Sequence, residues 1–212
     1  MEDNKYKRKT HVSNNSGNNE WYTPQNIIDA ARKTMGSIDL DPASSECANR
    51  TVQAATIYTK EDDGLIQPWF GNIWLNPPYA RNLIGKFASA IKDKRVEYDQ
   101  AIILVNNSTD TVWFHNIIGI TSAICLVKKR IRFHKEDGRL GKPLQGQVIL
   151  YIGSHTLKFI ENFSQFGACR VRFEHESSMY RPLGSHLCNI REKHYLILPE
   201  KSDTILWNIK AG

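Results

Sequence analysis

Apolar and polar positions along the chain predict helices that alternate with strands. The first helix is predicted to begin with Thr23 as its N-cap and Pro24 at its first helical position, and to end at Gly36. Its apolar face is formed by residues that recur at helical spacing: Ile27, Ile28, Ala31 and Met35. Similar periodicity predicts helices around 83–91 and 112–118.

Short apolar runs between turn residues predict the strands of a sheet. They occupy residues 37–42, 55–59, 73–75, 101–105, 123–127 and 147–152. Because strands alternate with helices, we expect an α/β fold with a doubly wound, mostly parallel sheet. The last two of these strands flank a polar, Gly-rich loop and should form an antiparallel edge of that sheet.

The pattern divides the chain into three parts. Residues 1–19 combine a basic cluster with a polar Ser/Asn-rich stretch and are predicted to be a disordered tail, either a solvated end or a basic arm that touches phosphates. Residues 20–174 form the main domain. Residues 175–212 are predicted to be a small appendage, with short strands at 195–198 and 205–207.

Composition narrows the class of protein. The 212 residues carry a net charge of +6, which favours an anionic partner such as nucleic acid. No apolar run is long enough to span a bilayer and no signal-peptide pattern is present, so we expect a cytoplasmic protein without a membrane partner. The cysteines lack paired spacing, which favours free thiols and no metal site.

One stretch stands out for its chemistry, the sequence Asn76-Pro77-Pro78-Tyr79 directly after an apolar strand. The prolines end the strand and push Asn76 into an extended conformation. An amide oxygen, main-chain carbonyls and an aromatic face would then lie together. That combination suits a planar ring bearing an exocyclic amino group, although the same residue types also form ordinary surface turns.

Other candidate residues lie at element ends. The start of the first helix can attract an anion, and the neighbouring Trp21 and Tyr22 are either core residues or a cofactor wall. Asp39 and Asp41 lie towards the carboxyl end of the first strand, where ligands bind in open α/β sheets, or one of them caps the next helix. Small residues follow, beginning with Ala43, and would let a ligand approach the backbone.

A basic run continues from the strand at 123–127. Lys128, Lys129, Arg130 and Arg132 are interleaved with Phe133, as expected of a surface that contacts a nucleic-acid backbone. The alternative is an edge strand that is blunted with charge.

Taken in order, these motifs resemble the phage and prophage type of DNA N6-adenine methyltransferase, the Dam-like family that uses S-adenosyl-L-methionine. The resemblance covers roughly residues 20–150. The matching segments are Trp21-Tyr22-Thr23-Pro24, Asp39-Leu40-Asp41-Pro42-Ala43-Ser44, Asp62-Asp63-Gly64-Leu65 with Trp69, Asn76-Pro77-Pro78-Tyr79, Trp113-Phe114-His115 and Arg130-Ile131-Arg132-Phe133. The family implies a Rossmann-like fold.

The resemblance also implies where the cofactor binds. The start of the first helix would hold the methionine carboxylate of the cofactor. The residues that follow the first strand would line its methionine and ribose, and the acidic turn that contains Asp63 would bind its adenine. The implied cofactor-binding residues are Trp21, Tyr22, Thr23, Pro24, Asp39, Asp41, Ala43, Asp63 and Leu65. The chain departs from the family in two ways. The family's usual glycines are absent from the first cofactor loop, at residues 43–45. The acidic residue that normally follows the second strand and holds the cofactor ribose has no clear counterpart between residues 49 and 60.

For the target, the resemblance implies that Asn76, Pro77, Pro78 and Tyr79 bind an adenine flipped out of double-stranded DNA in a bacterial cell. The same motif serves methylation of cytosine N4, of RNA bases and of a glutamine side chain in protein. An alternative of another class is a DNA-binding module of the same fold without turnover.

Overall fold

The computed structural model describes residues 22–79, 83–135, 138–141, 145–174 and 193–197. Trp21, the predicted tail and most of the predicted appendage lie outside these residues. In chain order the elements are α1 Gln25–Met35, β1 Leu40–Asp41, α2 Glu46–Val52, β2 Thr56–Ile57, β3 Asn72–Leu75, α3 Leu83–Asp93, β4 Gln100–Asn106, α4 Val112–Ile118, β5 Ala123–Val127, β6 Gln147–Ile152, α5 Thr156–Phe163, β7 Gly167–Glu174 and β8 Lys193–Ile197.

The strands form one mixed sheet in the order β2-β1-β3-β4-β6-β5-β7-β8. Pairing is parallel from β2 to β4 and antiparallel from β4 to β8. The predicted α/β fold with parallel strands is therefore confirmed for one end of the sheet. The predicted antiparallel pair, β5 with β6, exists but lies inside the sheet. Every residue of β6 is buried, as a strand with neighbours on both sides and on both faces requires.

Helices cover both faces of the sheet, and β4 shows why. Its alternate residues point to opposite sides. Ile102 and Leu104 join a core with residues of α1 and α5, whereas Ala101, Ile103 and Val105 join a second core with α3 and α4. The continuous apolar run of β4 is thus explained by burial on both faces.

The start of α1 differs from the prediction. Pro24, not Thr23, is the N-cap, and no side chain caps the helix. Pro24 has ψ of 142°, so the chain is still extended there and helical geometry begins at Gln25. As a result, the Thr23 side chain is available for a contact elsewhere.

Three elements were not predicted: α2, α5 and β7. Ser45 caps α2 by accepting a hydrogen bond from the Ala48 amide at 3.2 Å, and a serine before a glutamate is a recognisable helix start. Phe159 and Phe163 of α5 are fully buried at i, i+4 spacing. Strand β8 overlaps the strand predicted at 195–198 and pairs with β7.

Candidate active site

Three neighbouring parallel strands end at the same edge of the sheet. β1 ends at Asp41, β3 at Leu75 and β4 at Asn106. Since β3 lies between the other two, the segments that follow β1 and β3 are adjacent. This edge therefore brings together two of the candidate motifs, the exit of β1 and the turn Asn76-Pro77-Pro78-Tyr79, called here the proline corner.

In the proline corner, Pro77 is buried whereas Asn76 and Tyr79 are half-buried. The Asn76 Nδ2 donates to the Thr23 Oγ1 over 3.4 Å. This contact fixes the orientation of the Asn76 amide, with its nitrogen directed at Thr23. Thr23 is itself buried, so the contact links the residue before α1 to the end of β3.

Tyr79 is anchored by its hydroxyl, which accepts a hydrogen bond from the Asn106 main-chain N–H at 2.7 Å. The donor is available because β3 stops pairing at Leu75 opposite Ile103, while β4 continues to Asn106. Burial raises the pKa of the Tyr79 phenol, so the hydroxyl stays protonated at neutral pH. The ring is therefore held in place beside Asn76 by a backbone group.

The exit of β1 contains a buried carboxylate. The Asp41 Oδ1 accepts from the Ala43 amide at 3.2 Å. Burial raises the pKa of Asp41 to about 7, and hydrogen bonds from the following turn offset only part of that effect. Among the described residues, no cationic side chain forms an ion pair with Asp41. A buried carboxylate without a cation is a suitable partner for a positively charged ligand group.

Asp39 has a different environment from Asp41. Its Oδ2 accepts from the Asn72 amide at 2.8 Å, where β3 begins. This bond ties β1 to β3 and gives Asp39 a structural role. Of the two carboxylates named as alternatives, Asp41 is the one at the strand's carboxyl end.

The acidic turn after β2 packs directly on the exit of β1. A Cβ added to Gly64 would lie 2.0 Å from the Pro42 carbonyl oxygen, so only glycine allows this approach. Trp69 fixes the turn from the other side, because its Nε1 donates to the Gly64 carbonyl at 2.8 Å. The turn thereby brings exposed Asp63 and half-buried Leu65 close to the segment that follows Asp41.

Within this turn the two acidic residues differ. Asp62 accepts from the Thr59 amide and hydroxyl at 2.8 and 2.7 Å, and these bonds lower the pKa of Asp62. Asp63 adopts φ of 51°, in the left-handed region, and its Oδ1 accepts from the Leu65 amide at 3.3 Å. Asp62 therefore caps the turn, while Asp63 is presented to solvent.

Residues 128–134, called here the basic segment, follow β5. Its four cationic side chains are all exposed: Lys128, Lys129, Arg130 and Arg132. They do not belong to an edge strand, which removes the alternative of a blunted edge. His134 and Tyr22 exchange main-chain hydrogen bonds of 2.9 Å in each direction, so the basic segment ends next to Thr23 and hence near Asn76.

Sequence reasoning missed two side chains at this edge, Asn106 and Gln147. They end β4 and begin β6, and they face each other across the two strands. The only local signal for Asn106 or Gln147 is that each is a polar residue at the boundary of a long apolar run. Their pairing depends on β6 lying next to β4, which the chain order does not reveal.

Two negative findings concern the described residues. None of their helices has the length and apolar character needed to cross a membrane. No three of their His, Cys, Asp or Glu side chains are grouped so that they could hold a metal ion.

The chain is similar to known proteins. The family model for DNA N-6-adenine-methyltransferase (Dam) matches residues 9–162. A DNA N-6-adenine-methyltransferase of Escherichia phage T1 is 32% identical over 96 residues, which make up 44% of this chain and 38% of the phage protein. The chain therefore matches about two fifths of the length of that relative.

Proposed function

Because the chain belongs to the DNA N-6-adenine-methyltransferase (Dam) family, we propose that it transfers a methyl group from S-adenosyl-L-methionine to N6 of an adenine in double-stranded DNA. The proposed setting is the cytoplasm of a bacterial host, where such DNA is present. We also assign the sheet, with helices on both faces, to the doubly wound, Rossmann-like arrangement of methyltransferases.

One observation carries the proposal: the proline corner and the exit of β1 lie side by side at the ends of adjacent parallel strands. In open α/β sheets this edge is where ligands bind. A methyl donor held over β1 would therefore lie next to a base held at Asn76. Transfer between two bound groups requires this closeness.

The residues around β1 fit a cofactor that carries both a cationic amino group and an adenine. Asp41 offers a buried carboxylate without a cationic partner to the amino group. Asp63 and Leu65 offer an acceptor and an apolar face to the adenine, with Ala43 lining the space between. Thr23 and the amides after Pro24 would hold the carboxylate. When bound, the cofactor supplies a methyl group on a sulfonium centre.

At the proline corner, the chain's own groups would activate the target. The lone pair of an adenine amino group is delocalised into the ring, which makes the nitrogen a poor nucleophile. The Asn76 Oδ1 and the Pro77 carbonyl oxygen would accept the two N6–H groups and localise that lone pair toward the methyl carbon. The nitrogen would then accept the methyl group supplied by the sulfonium, whose sulfur would be left as a neutral thioether, and one N6 proton would leave to solvent.

The tethered ring of Tyr79 would stack on the flipped adenine. Base–aromatic stacking contributes about 1–3 kcal/mol, which offsets part of the cost of extruding a base from the duplex. Exposed cations of the basic segment would bind the DNA backbone and contribute most of the non-specific affinity.

The proposal is tested by incubating the protein with methyl-labelled S-adenosyl-L-methionine and DNA, digesting the DNA and identifying the labelled nucleoside. We expect label in N6-methyladenine, and sequencing of the product will map the recognised site. RNA and protein are assayed in parallel. Label found instead in N4-methylcytosine, in RNA or in a glutamine side chain would show that this group, and not DNA adenine, is the substrate. DNA binding without any methyl transfer would identify a module that has lost turnover.

A further inference from the structure

Two side-chain amides lie between the proline corner and the basic segment. Asn106 and Gln147 are opposite each other on β4 and β6, and the Gln147 Nε2 donates to the Asn106 Oδ1 at 3.4 Å. The main-chain N–H of Asn106 holds the Tyr79 hydroxyl at 2.7 Å. On this side, Asn106 therefore links the amide pair, through its own backbone, to the ring that the proposed function assigns to base stacking.

On its other side, the amide pair holds the basic segment. The Gln147 Oε1 accepts from the Ile131 main-chain N–H at 3.2 Å, and both Ile131 and Gln147 are 7% exposed. A buried N–H requires a partner, and this segment has left the sheet, so no strand can supply one. Gln147 thus fixes the middle of the segment, between the exposed cations Arg130 and Arg132.

The basic segment has further backbone anchors at its ends. The Lys128 amide donates to the Phe166 carbonyl at 3.0 Å, and His134 exchanges hydrogen bonds with Tyr22. The anchor at Ile131 differs from these two because it depends on a side chain, that of Gln147. It is connected to the proline corner through Asn106, whose side chain contacts Gln147 and whose main-chain N–H contacts Tyr79.

We propose that the Asn106–Gln147 amide pair is a positioning device that keeps the basic segment in register with Tyr79. Phosphates bound by the segment are then placed at the distance from the ring at which an extruded adenine can enter the site. This inference rests on the proposed function and adds a role for two residues to which that function assigns no contact with substrate or cofactor. It predicts that loss of Gln147 impairs base extrusion more than methyl transfer itself.

Gln100, at the opposite end of β4, provides a matched control. It is also 7% exposed, and its amide donates to the Asn72 Oδ1 at 2.8 Å and accepts from the Tyr151 hydroxyl at 2.7 Å. These partners lie at the far edge of the sheet from the site. Gln100→Leu and Gln147→Leu remove similar buried amides, but only the second disconnects the basic segment.

The experiment compares two duplex substrates that carry the site mapped with the wild-type protein. In one the target adenine is paired, and in the other it faces an abasic site and needs no unpairing. For Gln147→Leu we expect methylation of the paired duplex to fall about tenfold, the size expected when a buried donor loses its partner. Methylation of the abasic duplex should stay near the wild-type rate. For Gln100→Leu the ratio of the two rates should equal the wild-type ratio.

An unchanged ratio for folded Gln147→Leu, beside an active wild-type protein, would overturn the inference and leave the proposed function intact. If Gln147→Leu does not fold, Gln147→Glu carries the test. This variant keeps an oxygen for Ile131 but has no N–H for Asn106, so the ratio should again shift toward the abasic duplex, and an unchanged ratio would refute the role. A wild-type protein that methylates neither duplex would overturn the proposed function and this inference with it.

Discussion

The two ends of the sheet are built in different ways. At the parallel end, β1 and β2 have two residues each, and β1 meets β3 through a single register pair, Leu40 opposite Ile73. In the antiparallel half, β4 pairs with β6 continuously from Ala101 opposite Ile152 to Asn106 opposite Gln147. Backbone ladders therefore hold the antiparallel half, whereas the parallel end depends on contacts made by loops and side chains.

This difference matches the separate roles that we propose for the two ends, with methyl transfer at the parallel end and DNA binding at the antiparallel half. The short strands of the parallel end leave Asp41, the acidic turn and the proline corner to be positioned by specific contacts such as the Asp39–Asn72 bond. The antiparallel half supplies a rigid base for the basic segment. We therefore expect substitutions at the parallel end to change methyl transfer and cofactor binding, and those in the basic segment to change DNA affinity.

A large effect on methylation is expected at Tyr79. Tyr79→Ala removes the stacking face and should lower the rate of methylation by roughly a hundredfold, the upper range for loss of one base–aromatic contact. Tyr79→Phe is the matched variant, since it keeps the ring and removes only the bond to the Asn106 amide. Its loss should be no more than about tenfold. Equal rates for the Ala variant and the wild type in single-turnover assays would argue against stacking.

The contact of the acidic turn with β1 is tested by a pair of glycines. Gly64→Ala places a methyl group against the Pro42 carbonyl and should reduce the free energy of unfolding by about 1–3 kcal/mol. Gly85 lies inside α3, and apart from its chain neighbours and the helix backbone no atom of the described residues lies within 4 Å of an added Cβ. Gly85→Ala should therefore stabilise the protein by up to about 1 kcal/mol. Urea unfolding measures both effects.

Calorimetry on the same two variants adds a functional readout. Cofactor affinity should fall only for Gly64→Ala, because only that turn carries Asp63 and Leu65. If cofactor binds equally to both variants, the acidic turn is not part of the cofactor site.

Asp41 makes the parallel end sensitive to pH. The pKa of this carboxyl is about 7 in the folded chain and 3.8 in the reference state, so the folded state binds more protons between these values. The contribution of this carboxyl to stability is then greatest below pH 3.8 and is lost as pH rises toward 7. Without cofactor, the free energy of unfolding of Asp41→Asn should exceed that of the wild type at pH 8 by on the order of 2 kcal/mol. At pH 4 the two free energies should be nearly equal. A gain of the same size at both pH values would contradict this reasoning.

The smallest effect concerns the antiparallel half. Lys128→Ala with Lys129→Ala should lower DNA affinity for all sequences alike and reduce the slope of log affinity against log salt concentration by about 2. Lys92→Ala, an exposed lysine at the end of α3, should leave the slope unchanged. Titrations at several salt concentrations measure it. If the double variant keeps the wild-type slope, these lysines do not contact phosphates.

Local patterns predicted the parts of the site that are local in sequence. Each can be recognised within a few residues: the apolar run before Asn76, the prolines after it, and the aspartates around Leu40. The Thr–Pro pattern predicts a helix start one residue too early, because Thr23 is a typical cap, whereas the extended Pro24 takes that position itself. The functional roles of all these residues remain predictions.

What could not be predicted depends on the sheet order. Tyr79 meets Asn106 because β4 extends beyond β3, and Gln147 meets Asn106 because β6 inserts between β4 and β5. The basic segment approaches Thr23 through a main-chain bridge between Tyr22 and His134, for which side-chain identity gives no signal. Long-range pairing of this kind is fixed by the packing of the whole sheet.

The most direct test of the central claim uses Asn76→Ala with methyl-labelled cofactor and DNA, followed by nucleoside analysis. We expect the wild type to produce N6-methyladenine and the variant to produce at least about a hundredfold less, as for loss of one catalytic hydrogen-bonding group. The variant should still fold and bind cofactor, with at most the small loss expected from removing the weak Asn76–Thr23 bond. Wild-type amounts of N6-methyladenine from a folded Asn76→Ala protein would show that the proline corner does not perform the transfer.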